Sequence, residues 1–462
     1  MSAGPDDRGF DLSPLDRCFG GGVPAVMTTV AVDGTPNVTY LSRAHRVDEE
    51  RIALSNQFMS KTSRNLASNP AANLLLLDPT TMAEYRLRLR YERTERRGPV
   101  FERLRDDVDA IAAHTHMEDV FRLRAAAVFR VVSVERTNDL GLFDADPRPA
   151  DRDGRELGAM AELATRLGRS DDLDVVVDTV LDGLVGLFGF AHIHLLLLDE
   201  SGRTLFTIAS RGFDAESIGS EVQLGAGLVG MVASRGRSAR IGDLNQMAKY
   251  TERVRQEFAA EGVESERAVP MPGLPGAKSR IAVPAMALGQ VVGVLVADRL
   301  ESVAFTETDE QVLGVVASML ASAIEHARSV VVEDDAPPIR AAPVTTAPPT
   351  DPRESPTVVR YFVADGSVFL DAGYLIKGVA GRILWKLLRE HIDTGRVDFT
   401  NRELRLDPAL ELPEVKDNLE SRLVLLKRRL DEREAPIRME RTGRGLFRLH
   451  VSTPLRIEMR DA

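Results

Sequence analysis

A single cysteine, Cys18, stands among 462 residues. That count excludes an intramolecular disulfide and any thiolate metal cluster held within one chain. Long apolar runs are missing too: no window approaches the ~20 consecutive apolar residues that a membrane-spanning helix needs. The N-terminus, MSAGPDDRGF, lacks a basic start followed by an apolar stretch, so no secretory signal is expected and a cytoplasmic location fits. Positive charge is in deficit, with a net charge of -11, which disfavours nonspecific nucleic-acid binding by the molecule as a whole. No Ser/His/Asp arrangement, nucleotide phosphate loop, kinase motif or cyclase motif occurs, and no pair of carboxylates sits in a context that argues acid–base chemistry. What remains is a chain with 44% hydrophobic and 28% charged residues, ordinary for a globular protein. Its length allows about three domains.

Residues 1–22 are polar and rich in glycine and read as a flexible lead-in. From residue 23 the pattern turns to strands. Residues 24–32 and 37–41 flank Asp33-Gly34, a hairpin turn signal, and 51–56 and 72–77 are further strand candidates. Residues 61–68 read as a short helix closed by Asn69-Pro70. Over 84–93 the residues alternate, with Tyr85, Leu87, Leu89 and Tyr91 on one face and Arg86, Arg88 and Arg90 on the other. The arginines suit a solvated strand face better than a site for an anionic cofactor. A helix over 99–113 and a strand over 124–134 complete the unit.

The hairpin with DGTP (33–36), the stretch SNQFMSKTSRNL (55–66) and the following NPAANL (69–74) resemble the flavin-binding split barrels of the pyridoxamine phosphate oxidase family. The resemblance covers 23–137 and implies an FMN site at Gln57, Ser60, Lys61 and Thr62, with the flavin between two subunits of a homodimer. The family places two cations before that helix; here Lys61 and Thr62 hold those places, so a hydroxyl and helix N–H groups would have to serve beside one cation. The family's substrate-binding tail is absent after Val134, so oxidation of pyridoxamine phosphate is not expected.

After a linker rich in Asp, Pro and Arg (138–155), helical patterns run over 156–167 and 174–188, with a strand over 190–198. The first helix is expected to open the next unit and to pack against a second copy. Gly225, Gly227 and Gly230 in LGAGLVGMVASRGRSARIGDL (224–244) let the backbone turn where a side chain would clash. RIAVPAMALGQVVGVLVAD (280–298) reads as two core strands with the turn at Gly289-Gln290, and FTETDE (305–310) as the cap of a closing helix. Together these segments resemble a GAF sensory domain over 156–328, which implies an α/β/α sandwich around a small-molecule ligand that the sequence does not identify. A cysteine-linked bilin is excluded there, since Cys18 lies elsewhere. His192 and His194 alternate on one strand, and His114 and His116 sit close together, but neither pair has companions at metal-site spacing.

Seven prolines in 332–356 mark the linker 329–356 as an extended tether. The last domain, 357–462, carries 20 Lys and Arg against 17 Asp and Glu. An amphipathic helix over 381–391, a capping box at Thr400 and Glu403, and a third helix over 416–430 precede a hairpin with a basic glycine tip. Leu419, Leu423, Leu426 and Leu430 line one face of the third helix. This order resembles the winged-helix effector domain of response regulators. It implies double-stranded DNA as partner, with Asn418, Arg422, Lys427 and Arg428 on the recognition helix and Arg441 and Arg444 on the wing. Read without the family, the same residues are a charged helix face packed on a partner. Asp431, Glu432 and Glu434 weaken the local field, and aromatic side chains for base stacking are lacking nearby.

The sequence thus predicts a multidomain α+β chain: split β-barrel, GAF sandwich and winged helix. The function expected is a sensor with DNA-binding output. The alternative is an FMN-dependent oxidoreductase regulated by its GAF domain, with no DNA binding.

Overall fold

A computed structural model describes residues 12, 15–57, 59–79, 81–115, 117, 121–138, 155–170, 172–199, 201–213, 217–246, 273–330, 356–410, 412, 419–443 and 445–460. Residues 331–355 of the linker 329–356 and 139–154 of that at 138–155 lie outside them, and 329–330 continue the helix that ends at Val330. A short helix α1 (Asp16–Phe19) leads into β1 (Ala25–Val30), β2 (Pro36–Leu41), β3 (Ala44–Arg46) and β4 (Arg51–Asn56). Helix α2 (Ser60–Ser68), β5 (Ala71–Leu77), β6 (Glu84–Glu95), α3 (Pro99–Thr115) and β7 (Ala125–Asn138) follow. The strands form one curled antiparallel sheet, ordered β2-β1-β5-β6-β7-β4-β3. Thr35 N donates to Asp33 Oδ1 at 2.9 Å and Gly34 takes φ 86°, so the first hairpin turns where a side chain would be strained. The alternation on β6 holds: Leu87 and Leu89 are buried, while Arg86, Arg88 and Arg90 face outward.

The lead-in differs from its sequence reading. Leu12, Leu15 and Cys18 are buried in the barrel core beside Met27, Leu54, Leu74 and Phe129. Three apolar side chains within seven residues join the core of the sheet, and their burial outweighs the polar composition around them. Burial, then the negative charge of Asp78, pushes the Cys18 thiol up to about 12. It is therefore a packed thiol and not a reactive thiolate.

The second unit comprises α4 (Arg155–Leu167), α5 (Leu173–Phe188), β8 (His192–Leu198), β9 (Thr204–Arg211), β10 (Glu221–Gln223), α6 (Gly227–Arg235), β11 (Ala239–Ile241), β12 (Ser279–Ala287), β13 (Gln290–Arg299) and α7 (Glu307–Val330). Its sheet runs β10-β9-β8-β13-β12-β11. Ile193, Leu195 and Leu197 pack under α5 and α7, while Leu196, Val294 and Val296 pack under α6. Gly230 has no room for a side chain, because a Cβ there would collide with the Gln223 carbonyl. Thr306 and Asp309 cap α7 reciprocally, with Asp309 N donating to Thr306 Oγ1 at 3.1 Å and Thr306 N donating to Asp309 Oδ2 at 2.8 Å. The β12–β13 turn sits one residue earlier than its sequence reading. Ala287 pairs with Gln290, and Leu288 and Gly289 take positive φ of 50° and 77°, as a two-residue hairpin requires. Helix α4 packs on its own chain, where Leu163 meets the bare backbone of Gly183 on α5.

The third unit holds β14 (Thr357–Phe362), β15 (Ser367–Leu370), β16 (Gly373–Ile376), α8 (Gly378–Thr394), β17 (Asp398–Thr400), α9 (Asn401–Arg405), α10 (Leu419–Glu432), β18 (Ile437–Gly443), β19 (Leu446–Val451) and β20 (Leu455–Arg460). One sheet is ordered β16-β15-β14-β20, with β14 and β20 parallel, and the other is β17-β19-β18. The capping box at Thr400 and Glu403 is formed, but it starts a helix of only 5 residues. On α10 the four leucines are buried as expected, and so is Arg429, whose Nε donates to the Leu375 carbonyl at 2.9 Å.

Candidate functional site

Three surfaces carry the residues that the sequence singles out. On the barrel, α2 starts at Ser60 with no side chain capping its free N–H groups, and Ser60 and Lys61 are exposed in its first turn. Gln57, just before it, is buried; its Oε1 accepts from Ser42 Oγ at 2.9 Å, and its Nε2 has no partner among the described residues. An orphaned amide donor, an ammonium and bare helix N–H groups fit an anionic group such as a flavin phosphate. Thr62 does not contribute. Its hydroxyl is buried, accepts from Asn37 Nδ2 at 3.0 Å and shares a 2.8 Å bond with Thr39 Oγ1, so it ties α2 to β2 instead of facing a ligand.

On the GAF sheet, the face opposite α5 and α7 carries His194, which is 3% exposed. Its ring stands edge-on to Phe213 with centroids 3.7 Å apart, and its Nε2 has no hydrogen-bond partner among the described residues. Ser210, which pairs with His194, shares a 2.8 Å bond with Ser217, and Thr207 shares one of 2.8 Å with Ser220. Beyond His192, Asp298 is 2% exposed and receives Arg280 Nε and Nη2 at 2.6 and 2.7 Å. Burial pushes the His194 imidazole down to about 4, Asp298 opposing and Arg280 adding to the shift. The unfolded chain therefore binds a proton at pH values where the folded chain does not. Stability is full above the ordinary histidine value and falls as the pH drops from about 6.5 towards 4. The loss at the acid end is roughly 3 kcal/mol. Urea midpoints followed by circular dichroism should slope less steeply with pH in His194→Gln than in the wild type, the remaining slope coming in part from His45, which burial also pushes down. Equal slopes in both chains would remove His194 as the cause. His192 is half-buried beside Phe213, His114 is on α3, and His116 lies outside the described residues. Among the described residues no group of three His, Cys, Asp or Glu side chains is placed to hold a metal.

On the C-terminal unit, the basic residues of α10 and the hairpin do not face solvent alone. Lys427 Nζ lies 2.5 Å from Asp174 Oδ2, and Arg428 reaches Asp174 and Asp178, each at 2.8 Å. Arg441 Nη1 is 2.7 Å from Asp172 Oδ2, Lys377 Nζ is 2.8 Å from Glu221, and the Arg422 guanidinium lies 4.2 Å from the centre of the Phe206 ring. Burial raises the Asp174 carboxyl, but the hydrogen bond from Lys427 and the charge of Arg428 outweigh it and hold the group below its ordinary value. The packed-face reading of these residues is thus realised inside the chain, against the GAF unit. Asn418 and Arg444 lie outside the described residues. Sequence reading missed the partner side, although Asp172, Asp174 and Asp178 already stand at the start of an apolar helix with spacing that clusters them.

The barrel reaches the GAF unit through α3. Ala110, Ile111 and Ala113 join the core under α6 and β11. Arg237 bridges to Asp106 and Glu102 at 2.8 and 3.0 Å, and Arg103 to Glu310 at 3.2 Å.

A curled seven-stranded sheet joined to a six-stranded sheet between helices defines a chain built of a split-barrel module and a GAF module. Family models agree: the one described as Pyridoxamine 5'-phosphate oxidase matches residues 22–137 and the one described as GAF domain matches 170–325. The chain carries both domains, and residues 326–462 fall outside either match. Among solved structures, the GAF domain of an Acinetobacter phosphoenolpyruvate-protein phosphotransferase is 25% identical over 38% of this chain and 96% of that one, with a TM-score of 0.31. Free methionine-R-sulfoxide reductase from Neisseria meningitidis is 20% identical over 39% and 95%, with a TM-score of 0.31. An FMN-binding protein from Syntrophomonas wolfei subsp. wolfei is 17% identical over 28% and 86%, with a TM-score of 0.24. No curated protein matches the chain. No described helix is long and apolar enough to cross a membrane.

Proposed function

We propose that the chain is a cytoplasmic, homodimeric sensor whose barrel and GAF domain receive a small-molecule or redox signal and control a C-terminal winged-helix domain that binds duplex DNA. One observation carries this reading. The GAF domain touches both other units, α3 of the barrel on its α6 side and α10 of the C-terminal unit on its α5 and β9 side. A ligand that alters the GAF sheet thus has a contiguous path to the output. Helices α8, α9 and α10 followed by the β18–β19 hairpin support the winged-helix assignment. In that assignment Arg422, Lys427 and Arg428 meet DNA from α10, together with Asn418, while Arg441 and Arg444 meet phosphates from the hairpin. Val38 and Tyr40, exposed on β2, offer apolar surface that a second copy would cover.

Retention on duplex DNA tests the reading. The double variant Arg422→Ala/Arg441→Ala should bind about tenfold more weakly than the wild type, since it removes one contact from the recognition helix and one phosphate contact from the hairpin. Undiminished retention would sink it.

The buried Gln57 amide, without a partner for its Nε2 among the described residues, and the exposed Lys61 in the first turn of α2 favour a second reading, a flavin-dependent oxidoreductase under GAF control without DNA binding. In either reading Lys61, Ser60 and Gln57 would hold the FMN phosphate end, and the flavin would supply electron-transfer chemistry. A visible spectrum with flavin bands that bleach with a reducing substrate would favour the enzyme. A colourless protein that ignores added FMN would remove flavin from both.

A further inference from the structure

We infer that the acidic face at the start of α5 is a latch: it occupies the basic face of the C-terminal domain, so that the GAF domain and duplex DNA compete for the same side chains. The inference rests on the DNA-binding reading above and adds its regulation. Every described residue that the sequence assigns to DNA lies in this contact: Lys427 and Arg428 on Asp174, Arg428 also on Asp178, Arg441 on Asp172, and Arg422 over Phe206.

The chemistry of the two occupants is alike. Carboxylate oxygens at 2.5–2.8 Å from ammonium and guanidinium groups present the charge and the acceptor geometry that phosphate oxygens would present. A duplex therefore cannot reach α10 without displacing α5. The Asp174 carboxylate also remains charged at neutral pH, since the hydrogen bond from Lys427 and the charge of Arg428 hold it below its ordinary value. Lys427 and Arg441 keep 38% and 36% of their side-chain surface exposed. The pairs of Lys427 and Arg441 are therefore individually weak, and Arg428, 11% exposed on Asp174, anchors the contact. Because α5 packs over β8 and β9, a ligand-driven change in the GAF sheet alters the position of the carboxylates directly.

Zero-length carbodiimide coupling of the full chain should join Lys427 to Asp174, read by mass spectrometry of the linked peptides, and random-sequence duplex DNA should suppress that product. The full-length variant Asp174→Asn/Asp178→Asn keeps the Asp172 helix cap and should bind the same duplex pool about tenfold tighter than wild type. If both chains bind DNA equally, or saturating DNA leaves the cross-link undiminished, the latch is overturned while DNA binding stands. If the cross-link forms but neither chain is retained on DNA at any salt concentration, the DNA reading fails and the competition with it. A missing cross-link overturns the contact itself.

Discussion

Replacing Gly381 by alanine is expected to destabilise the C-terminal domain by about 3 kcal/mol, because it forces a methyl group against backbone that cannot move. Gly381 lies one turn into α8, and a Cβ there would collide with the Gly366 carbonyl while meeting Val368 Cγ2 at 3.4 Å. The turn that carries Gly366 is pinned from two sides. Gly378 N donates to the Asp365 carbonyl at 3.0 Å, and Ser367 N donates to Asp365 Oδ1 at 2.9 Å. Gly366 itself takes φ 71°, so the turn has little freedom to re-form elsewhere. The only tryptophan reports on this region: Trp385, on α8, stacks on Tyr361 with centroids 4.8 Å apart. Urea unfolding followed by tryptophan fluorescence should show a much lower midpoint in Gly381→Ala. An unchanged midpoint would mean that α8 does not approach the β14–β15 turn as described.

A comparable loss is expected inside the GAF sheet from Arg280→Ala. Arg280 is 11% exposed and Asp298 2% exposed, and their side chains form a two-point pair. Truncating the arginine leaves a buried carboxylate with only the Leu274 N–H, 3.2 Å away, from that set of contacts. Breaking one side of a buried ion pair costs about 3–5 kcal/mol, whereas replacing both sides by apolar groups is close to neutral. Arg280→Met/Asp298→Leu should therefore recover most of the stability that Arg280→Ala loses, as read by calorimetry. Equal stability of Arg280→Ala and the double variant would show that the pair is not buried as a unit.

The local features of the fold were legible because local physics fixes them. The Asp33-Gly34 turn, the glycines at the start of α6, the Thr306–Asp309 cap and the Thr400–Glu403 box each act within a few residues. The alternation of β6 likewise declares which side faces the core. What stayed hidden depends on distant partners. Strand β20 closes the last sheet by pairing in parallel with β14, about a hundred residues away, and no local pattern marks that pairing. Leu12 and Leu15 look like part of a loose tail, yet they are buried against Met27, Leu54, Leu74 and Phe129 of the barrel. Thr62 sits where the resemblance calls for a phosphate contact, but Asn37 and Thr39 from β2 claim its hydroxyl. Arg429 joins a basic run on α10 and yet is buried against the Leu375 carbonyl. In the candidate sites, sequence supplied one side of each contact and the structure supplied the other. The acidic helix start facing α10, and α3 facing α6, are the clearest cases.

In the proposed function the last domain binds duplex DNA through α10 and the following hairpin. The salt dependence of DNA binding by the Asp174→Asn/Asp178→Asn chain tests it most directly. Arg422, Lys427, Arg428 and Arg441 together predict a logarithmic affinity that falls linearly with logarithmic salt, with a slope of roughly -3 to -4. Absence of binding at ~50 mM salt, or a slope near zero, would contradict the account.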